Sequence, residues 1–315
     1  MRKAALCLMV LLASALSARA ETRIEKTLKI DNGGRLEVET GIGAITVTGA
    51  ARSDVHVVVT SKGRQLEELM TLRFDDGGKT ARIVGKSKPF DFLNLFGWRN
   101  TDVQFQIEVP LSTVLSLDTS GGGILVQSLH AAATVRTSGG GLDLREVVGD
   151  VDGHTSGGGV RLKSIKGRVH VTTSGGGIDG ADLDGDVDGD TSGGGITMHH
   201  VTGNLKVHTS GGGIRMDGIA GVVDASTSGG GITASLAKGN SRGGRLESSG
   251  GSVHVSLDSN ADLEIDAQAD DIRTDVPIQT RGQTSRRRLQ GTLGKGGQML
   301  RIHTSGGDIR IAPIS

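Results

Sequence analysis

Tyrosine is absent from the 315 residues, tryptophan occurs once, and aromatics make up 2% of the chain. Surfaces that read nucleic-acid bases or sugar rings by stacking are therefore scarce. The only cysteine is Cys7, so a disulfide framework within the chain is excluded. Apolar runs long enough to span a bilayer are also lacking: the longest, Ala4 to Leu16, falls short of the roughly 20 residues required. Charge of one sign is missing as well, with 35 basic against 35 acidic residues. Loss of a leader carrying Arg2, Lys3 and Arg19 leaves the mature chain with three more acids than bases. No bulk attraction to nucleic acid or anionic lipid follows. Helical spacing of apolar residues is absent too.

Glycine, by contrast, occurs 52 times and is strictly placed. The phrase Thr-Ser-Gly-Gly-Gly followed by Ile, Leu or Val begins at Thr119 and returns at Thr137, Thr155, Thr173, Thr191, Thr209 and Thr227, 18 residues apart each time. Counting each unit from its serine, glycine fills positions 2 to 4, apolar residues favour positions 5, 7, 10, 14 and 16, and threonine closes position 18. Positions 5/7 and 14/16/18 have the period of two that half-buried strands require. Each unit is thus two short strands and two bends. About five apolar side chains are too few to offset the entropy of ordering one unit. Stacking removes the difficulty, because each strand then hydrogen-bonds to its counterpart one unit away and each apolar position packs on the same position above and below. The fold expected is all-β, a single-stranded parallel β-solenoid of 18-residue coils with irregular capping ends. Right-handedness is expected from the crossover rule. Glycine at positions 2 to 4 is expected to supply positive φ and room for backbones to stack. Gly149, Gly167, Gly185, Gly203, Gly221 and Gly239 do the same at position 12, the second bend, where Ala131 is the single exception.

Outward positions support the same register. Position 15 reads Thr134, Asp152, His170, Asp188, Lys206, Asp224, and position 6 reads Asp143, Arg161, Asp179. Charge tends to alternate from coil to coil, as favourable pairing in an in-register parallel stack demands.

Residues 1–20 combine a basic start, an apolar run and Ala18-Arg19-Ala20, which fits a small-x-small cleavage site, so they read as a secretory signal peptide. Residues 21–118 alternate irregularly and form the opening cap, with strands over 24–30, 35–40, 44–48, 54–61, 80–84 and 102–109 and one helical turn over 65–72. Within this cap residues 89–100 form an apolar loop holding Phe90, Phe92, Leu93, Leu95, Phe96 and Trp98. It is either a plug over the open core or a protein- or membrane-contact tip. The regular coils occupy 119–240. Residues 241–315 continue the solenoid after Ser249-Gly250-Gly251 arrives three residues late, with a polar loop at 281–295 that carries Arg286, Arg287 and Arg288. That basic run is either solvated surface or a dock for an acidic polymer, lipid headgroup or partner.

Five stretches then carry a family likeness: Gly33-Gly34-Arg35-Leu36-Glu37-Val38, Ile45-Thr46-Val47-Thr48-Gly49, Ile107-Glu108-Val109-Pro110, the Thr-Ser-Gly-Gly-Gly phrases, and Gly294-Lys295-Gly296-Gly297 followed by Ile302 to Ile311. In this order they resemble the toastrack-type, adhesin-like family of bacterial envelope proteins of unknown function, which is related to head-domain adhesin-like proteins. The resemblance implies a single-chain β-solenoid at the envelope or cell surface, with adhesion or signal-sensing roles. This chain departs from the family pattern in the strictness of its period and in its aromatic loop.

Asp179, Asp182, Asp184, Asp186, Asp188 and Asp190 suggest calcium, yet they occupy outward positions that point apart and read as solvated acids paired with neighbouring coils. His154, His170, His208 and the pair His199-His200 could hold zinc or copper, but pairing with adjacent aspartates suits them better. The serine of position 1 repeats seven times without a Gly-x-Ser-x-Gly elbow. Gly291 to Gly296 lacks the Ser or Thr that a phosphate loop needs after its lysine. No cofactor and no catalytic residue is expected. The leading reading is a non-enzymatic, exported scaffold of the periplasm or cell surface. It would bind an envelope or extracellular protein or polysaccharide, not nucleic acid, through Phe90, Phe92, Leu95, Phe96, Trp98 and Arg286 to Arg288. An envelope-stress accessory that binds a membrane protein and a polysaccharide-active enzyme are the alternatives.

Overall fold

The computed structural model describes residues 22–88, 102–281 and 285–314. The opening segment comprises β1 (Thr22–Lys29), β2 (Arg35–Thr40), β3 (Ala44–Ala50), β4 (Asp54–Lys62), α1 (Leu66–Leu69), β5 (Met70–Asp76), β6 (Thr80–Ser87), β7 (Asp102–Pro110), β8 (Val114–Thr119) and β9 (Ile124–Leu129). Pairs of strands then follow regularly: β10 (Ala133–Thr137) and β11 (Leu142–Val148), β12 (Val151–Thr155) and β13 (Val160–Lys166), β14 (Val169–Thr173) and β15 (Ile178–Asp184), β16 (Val187–Thr191) and β17 (Ile196–Val201). They continue as β18 (Leu205–Thr209) and β19 (Ile214–Ile219), β20 (Val223–Thr227) and β21 (Ile232–Leu236), β22 (Gly244–Ser248) and β23 (Val253–Leu257). The closing segment holds β24 (Leu263–Gln268), β25 (Ile272–Thr274), β26 (Gln279–Thr280), β27 (Arg288–Leu293), β28 (Gln298–Thr304) and β29 (Ile309–Pro313).

From β8 to β23 the odd-numbered strands lie in a 14-stranded sheet, here sheet I, and the even-numbered ones in a 15-stranded sheet, sheet II. One coil is a sheet II strand, the glycine corner, a sheet I strand and the second bend. Successive coils pair in parallel and in register, apart from a one-residue shift between Asp217 and Ile219 where β19 meets β21, so Ile178 faces Ile196 and Ile196 faces Ile214. All three are at most 2% exposed, a single inward file. Positions 10, 14 and 16 form similar files, including Leu183, Val201 and Ile219 from position 10. The two sheets bury these files against each other, and burial of each side chain contributes about 1.5–3 kcal/mol.

The glycine corner departs from expectation in its cause. Among the described residues, no glycine at positions 2 to 4 of the regular coils has positive φ. A Cβ on Gly140, Gly158, Gly176, Gly194 or Gly212, all at position 3, would instead overlap the carbonyl of the same position one coil earlier. Glycine is needed there because backbone lies directly on backbone. Left-handed backbone occurs elsewhere, at position 9, where Ser128, Glu146, Ser164, Asp182 and His200 have φ between 52° and 57°.

Both ends are woven, with strands out of chain order. At the start, β2 lies between β6 and β8, and β3 between β7 and β9. At the finish, β28 lies between β22 and β24, and β29 between β23 and β25. Antiparallel strands then close the sheets: β4 on β7, β1 on β4, β5 on β6, and β27 on β24 with β26 beyond it. The helical turn read over 65–72 is confined to α1, and Met70–Asp76 is a strand. The polar loop read over 281–295 is corrected likewise, because Arg288–Leu293 pairs along its whole length with Gln268–Leu263. Alternation of Leu289, Gly291 and Leu293 toward the core carries it into the sheet.

Candidate functional site

The repeated threonine is the first polar group whose role the geometry fixes. Thr155 Oγ1 donates to the carbonyl of Gly140 one coil earlier at 2.6 Å and accepts the N–H of Gly158 at 3.3 Å. Thr137, Thr173, Thr191, Thr209 and Thr227 repeat both bonds with their own glycines. All are buried. The phrase Thr-Ser-Gly-Gly-Gly is thus a corner bracket that joins coils. Its serines face solvent in a file. The later Ser305 has an imidazole at 3.3 Å, that of His303, but among the described residues no carboxylate stands within 4.0 Å of that ring to orient it.

The six aspartates of β15 and β16 do not converge. Asp182 meets His200 at 3.3 Å, Asp184 accepts from Thr202 Oγ1 at 2.8 Å, and Asp186 accepts the backbone N–H of Asn204 at 2.8 Å. Asp188 lies between His170 at 3.8 Å and Lys206 at 3.7 Å. Each of these four acids therefore addresses the coil before or after its own, Asp188 both. Among the described residues no group of three or more His, Cys, Asp or Glu side chains is placed to hold a metal ion. His199 adds one more such pair, with Asp217 at 3.9 Å. His154 and His208 instead bond Thr172 and Ser226 one coil on. At the opening end, Glu25 bonds His56 at 2.8 Å and Arg23 at 3.0 Å. His56 first, then Arg23, hold its carboxyl below the usual range.

Phe90, Phe92, Leu95, Phe96 and Trp98 lie outside the described residues. Their flanks are placed: Lys88 donates its N–H to the carbonyl of Leu69 at 2.9 Å, and β7 begins at Asp102. Leu69, Asp102 and Val103 line a recess there with Ile42, Gly43 and Arg64.

Arg286 and Arg287 form the tip of the hairpin that leads into β27, and Arg288 is its first residue. The tip is anchored. The Ile272 N–H donates to the carbonyl of Arg286 at 2.9 Å, the Ala269 N–H to that of Arg287 at 3.1 Å, and the Ser285 N–H to that of Arg288 at 3.0 Å. All three side chains are exposed. Among the described residues no carboxylate lies within 4.0 Å of them, whereas nearby Arg273, Arg281, Arg301 and Arg310 each have one.

Sequence reasoning missed two structural polar positions. Asn240, 6% exposed, donates from Nδ2 to the carbonyls of Ile219 and Gly221 and so fills the bend where the repeat gains three residues. The loss of phase at that bend was its only signal. The left-handed file at position 9 had one signal, Gly218, which continues it at φ 69°.

Two parallel sheets wound from one chain, with structural threonines at a glycine corner, define a flattened β-solenoid. The chain belongs to the Toastrack DUF4097 family, which matches residues 34–312, as the order of motifs implied. Among solved structures, a candidate adhesin from Parabacteroides merdae is similar with a TM-score of 0.37 and 9% identity, over 94% of this chain and 96% of that one. A candidate lipid-binding protein from Parabacteroides distasonis gives 0.33 and 11%, over 93% and 97%. A candidate adhesin from Bacteroides fragilis gives 0.30 and 12%, over 94% and 99%. Comparison with curated proteins gave no match. Among the described residues no helix is long and apolar enough to cross a membrane.

Proposed function

We propose that the chain is an exported, non-enzymatic binding protein of the bacterial envelope, a rigid adhesin-like scaffold that meets its partner through its ends. One observation carries this reading. Along the regular coils Asp182, Asp184, Asp186 and Asp188 pair with neighbouring coils and, among the described residues, no group of three or more His, Cys, Asp or Glu is placed to hold a metal ion, while Arg286, Arg287 and Arg288 stand together on an anchored hairpin with no carboxylate of the described residues within 4.0 Å. Such a cationic tip suits recognition of a partner better than chemistry on it. Phe90, Phe92, Leu95, Phe96 and Trp98 supply the second contact in this reading.

The test is retention of the purified chain on envelope fractions. Arg286→Ser/Arg287→Ser/Arg288→Ser and Phe96→Ser/Trp98→Ser are each expected to lower retention without changing the far-UV spectrum. Full retention by both variants would contradict the reading. Export has its own check: protein recovered from outside the cytoplasm is expected to begin at Glu21, and recovery with Met1 to Ala20 attached would overturn cleavage at that site.

A further inference from the structure

We infer that the C-terminal end of sheet I binds a linear acidic polysaccharide through a file of basic side chains, a ligand assignment that rests on the binding role proposed above. His254 of β23 pairs in register with Arg310 of β29, and Arg310 with Arg273 of β25. The three occupy position 6 of successive strands, about 4.8 Å apart. Like charges directly opposite each other destabilise a sheet. The regular coils avoid this at the same position, where Asp143 pairs with Arg161 and Arg161 with Asp179. The closing coils therefore keep an arrangement that folding alone disfavours.

The hairpin extends the file. Bonds from Ile272 and Ala269 to the carbonyls of Arg286 and Arg287 set both residues beside β25. Carboxylates border the patch without cancelling it. Asp271 holds Arg273 at 2.9 Å and Asp275 holds Arg310 at 3.0 Å, while those two arginine side chains stay 76% and 63% exposed. Asp270 and Asp308 stand on the side of the glycine corner. A guanidinium has five N–H donors, so one carboxylate leaves others for a ligand.

The file of Arg310 and Arg273, with His254 one strand back and Arg286 and Arg287 beside β25, matches an extended chain that repeats a carboxylate, and its guanidinium groups offer the bidentate geometry carboxylates prefer. A bilayer fits less well. The large exposed apolar side chains among the described residues are Val148, Val222 and Met299, and none stands at the hairpin tip to enter acyl chains.

The test titrates the mature chain with a size-defined polyuronate, with a neutral glucan, and with vesicles containing an anionic phospholipid, each at low and high salt. Polyuronate is expected to bind, more weakly as salt rises, and the neutral glucan is not. Arg286→Ser/Arg287→Ser is expected to weaken polyuronate about tenfold and Arg273→Gln/Arg310→Gln by roughly fivefold. Lys163→Gln, on the middle of the same sheet, is expected to bind as the parent does. Undiminished binding by both arginine variants would overturn the inference, as would vesicles binding where polyuronate does not. Retention on envelope fractions without any polyuronate affinity would sink this ligand and leave the binding role standing.

Discussion

Gly176 and Thr173 show how much of the coil depends on single atoms. A Cβ on Gly176 would overlap the Gly158 carbonyl, whereas one on Gly175 would sit 3.1 Å from that of Gly157. Gly176→Ala is expected to cost several kcal/mol in urea unfolding and Gly175→Ala roughly 1; equal costs would refute backbone-on-backbone stacking as the reason for glycine. Thr173→Val removes a bond to the Gly158 carbonyl and one from the Gly176 N–H, and about 1–3 kcal/mol should be lost. Ser164, at φ 56°, should respond in the opposite sense, with Ser164→Gly raising stability by up to about 1 kcal/mol. The corner glycines were plain in the sequence but their cause was not, since φ and contact distance leave the same residue behind. Position 9 was hidden for the converse reason: a serine or glutamate in left-handed backbone looks like any other outward polar residue.

Elements keep their place through coils that differ from one another. A slip of one coil would preserve every apolar file, so the core alone cannot fix register. The acidic strands β15 and β16 can, because donors flank them: Arg161, Lys166, Arg168 and His170 on one side, and His200, Thr202, Asn204 and Lys206 on the other. Reversing Asp184, Asp186 and Asp188 to lysine is expected to cost on the order of 1–2 kcal/mol, more at low salt; no cost at low salt would remove this role. Bends have their own ties. Asp258 accepts N–H bonds from Asn260 at 2.9 Å and Gly239 at 3.0 Å. The Asn260 bond first, helped by Gly239, holds its carboxyl below the ordinary range. A lowered folded value means stability present above the unfolded value of about 3.9 and lost as pH falls through the folded one. Asp258→Ala should therefore be less stable than the parent at pH 7, with the difference closing below about pH 4; a constant difference would contradict the ionic origin. Strictly periodic elements were legible because period two and period 18 coincide. At the ends that coincidence fails. Met70, Leu72 and Phe74 do alternate in β5, but the adjoining Leu66–Leu69 turn masked the pattern, and β27 was masked by the glycines and charges around it.

The whole molecule is a stack that can be shortened only by complete coils. Deletion of residues 210–227, one 18-residue unit, should leave a folded chain with an unchanged far-UV spectrum per residue. Deletion of residues 210–218 should unfold it, because half a coil sends each later strand to the wrong sheet. Placing β28 and β29 inside the stack ties the chain's last residues to strands on both sides, and Arg23, Lys26 and Lys29 on edge strand β1 discourage end-to-end growth. Stacking in register remains the premise of every outward column, including the arginine file. Gln127, Asp217 and Ser235 occupy one column, with Asp217 five coils and Ser235 six coils from Gln127. Pulsed electron-resonance distances between spin labels at 127 and 217, and at 127 and 235, test this most directly. The stack predicts about 24 Å and about 29 Å, one strand spacing apart, and distances that are equal, reversed or broadly scattered would contradict it.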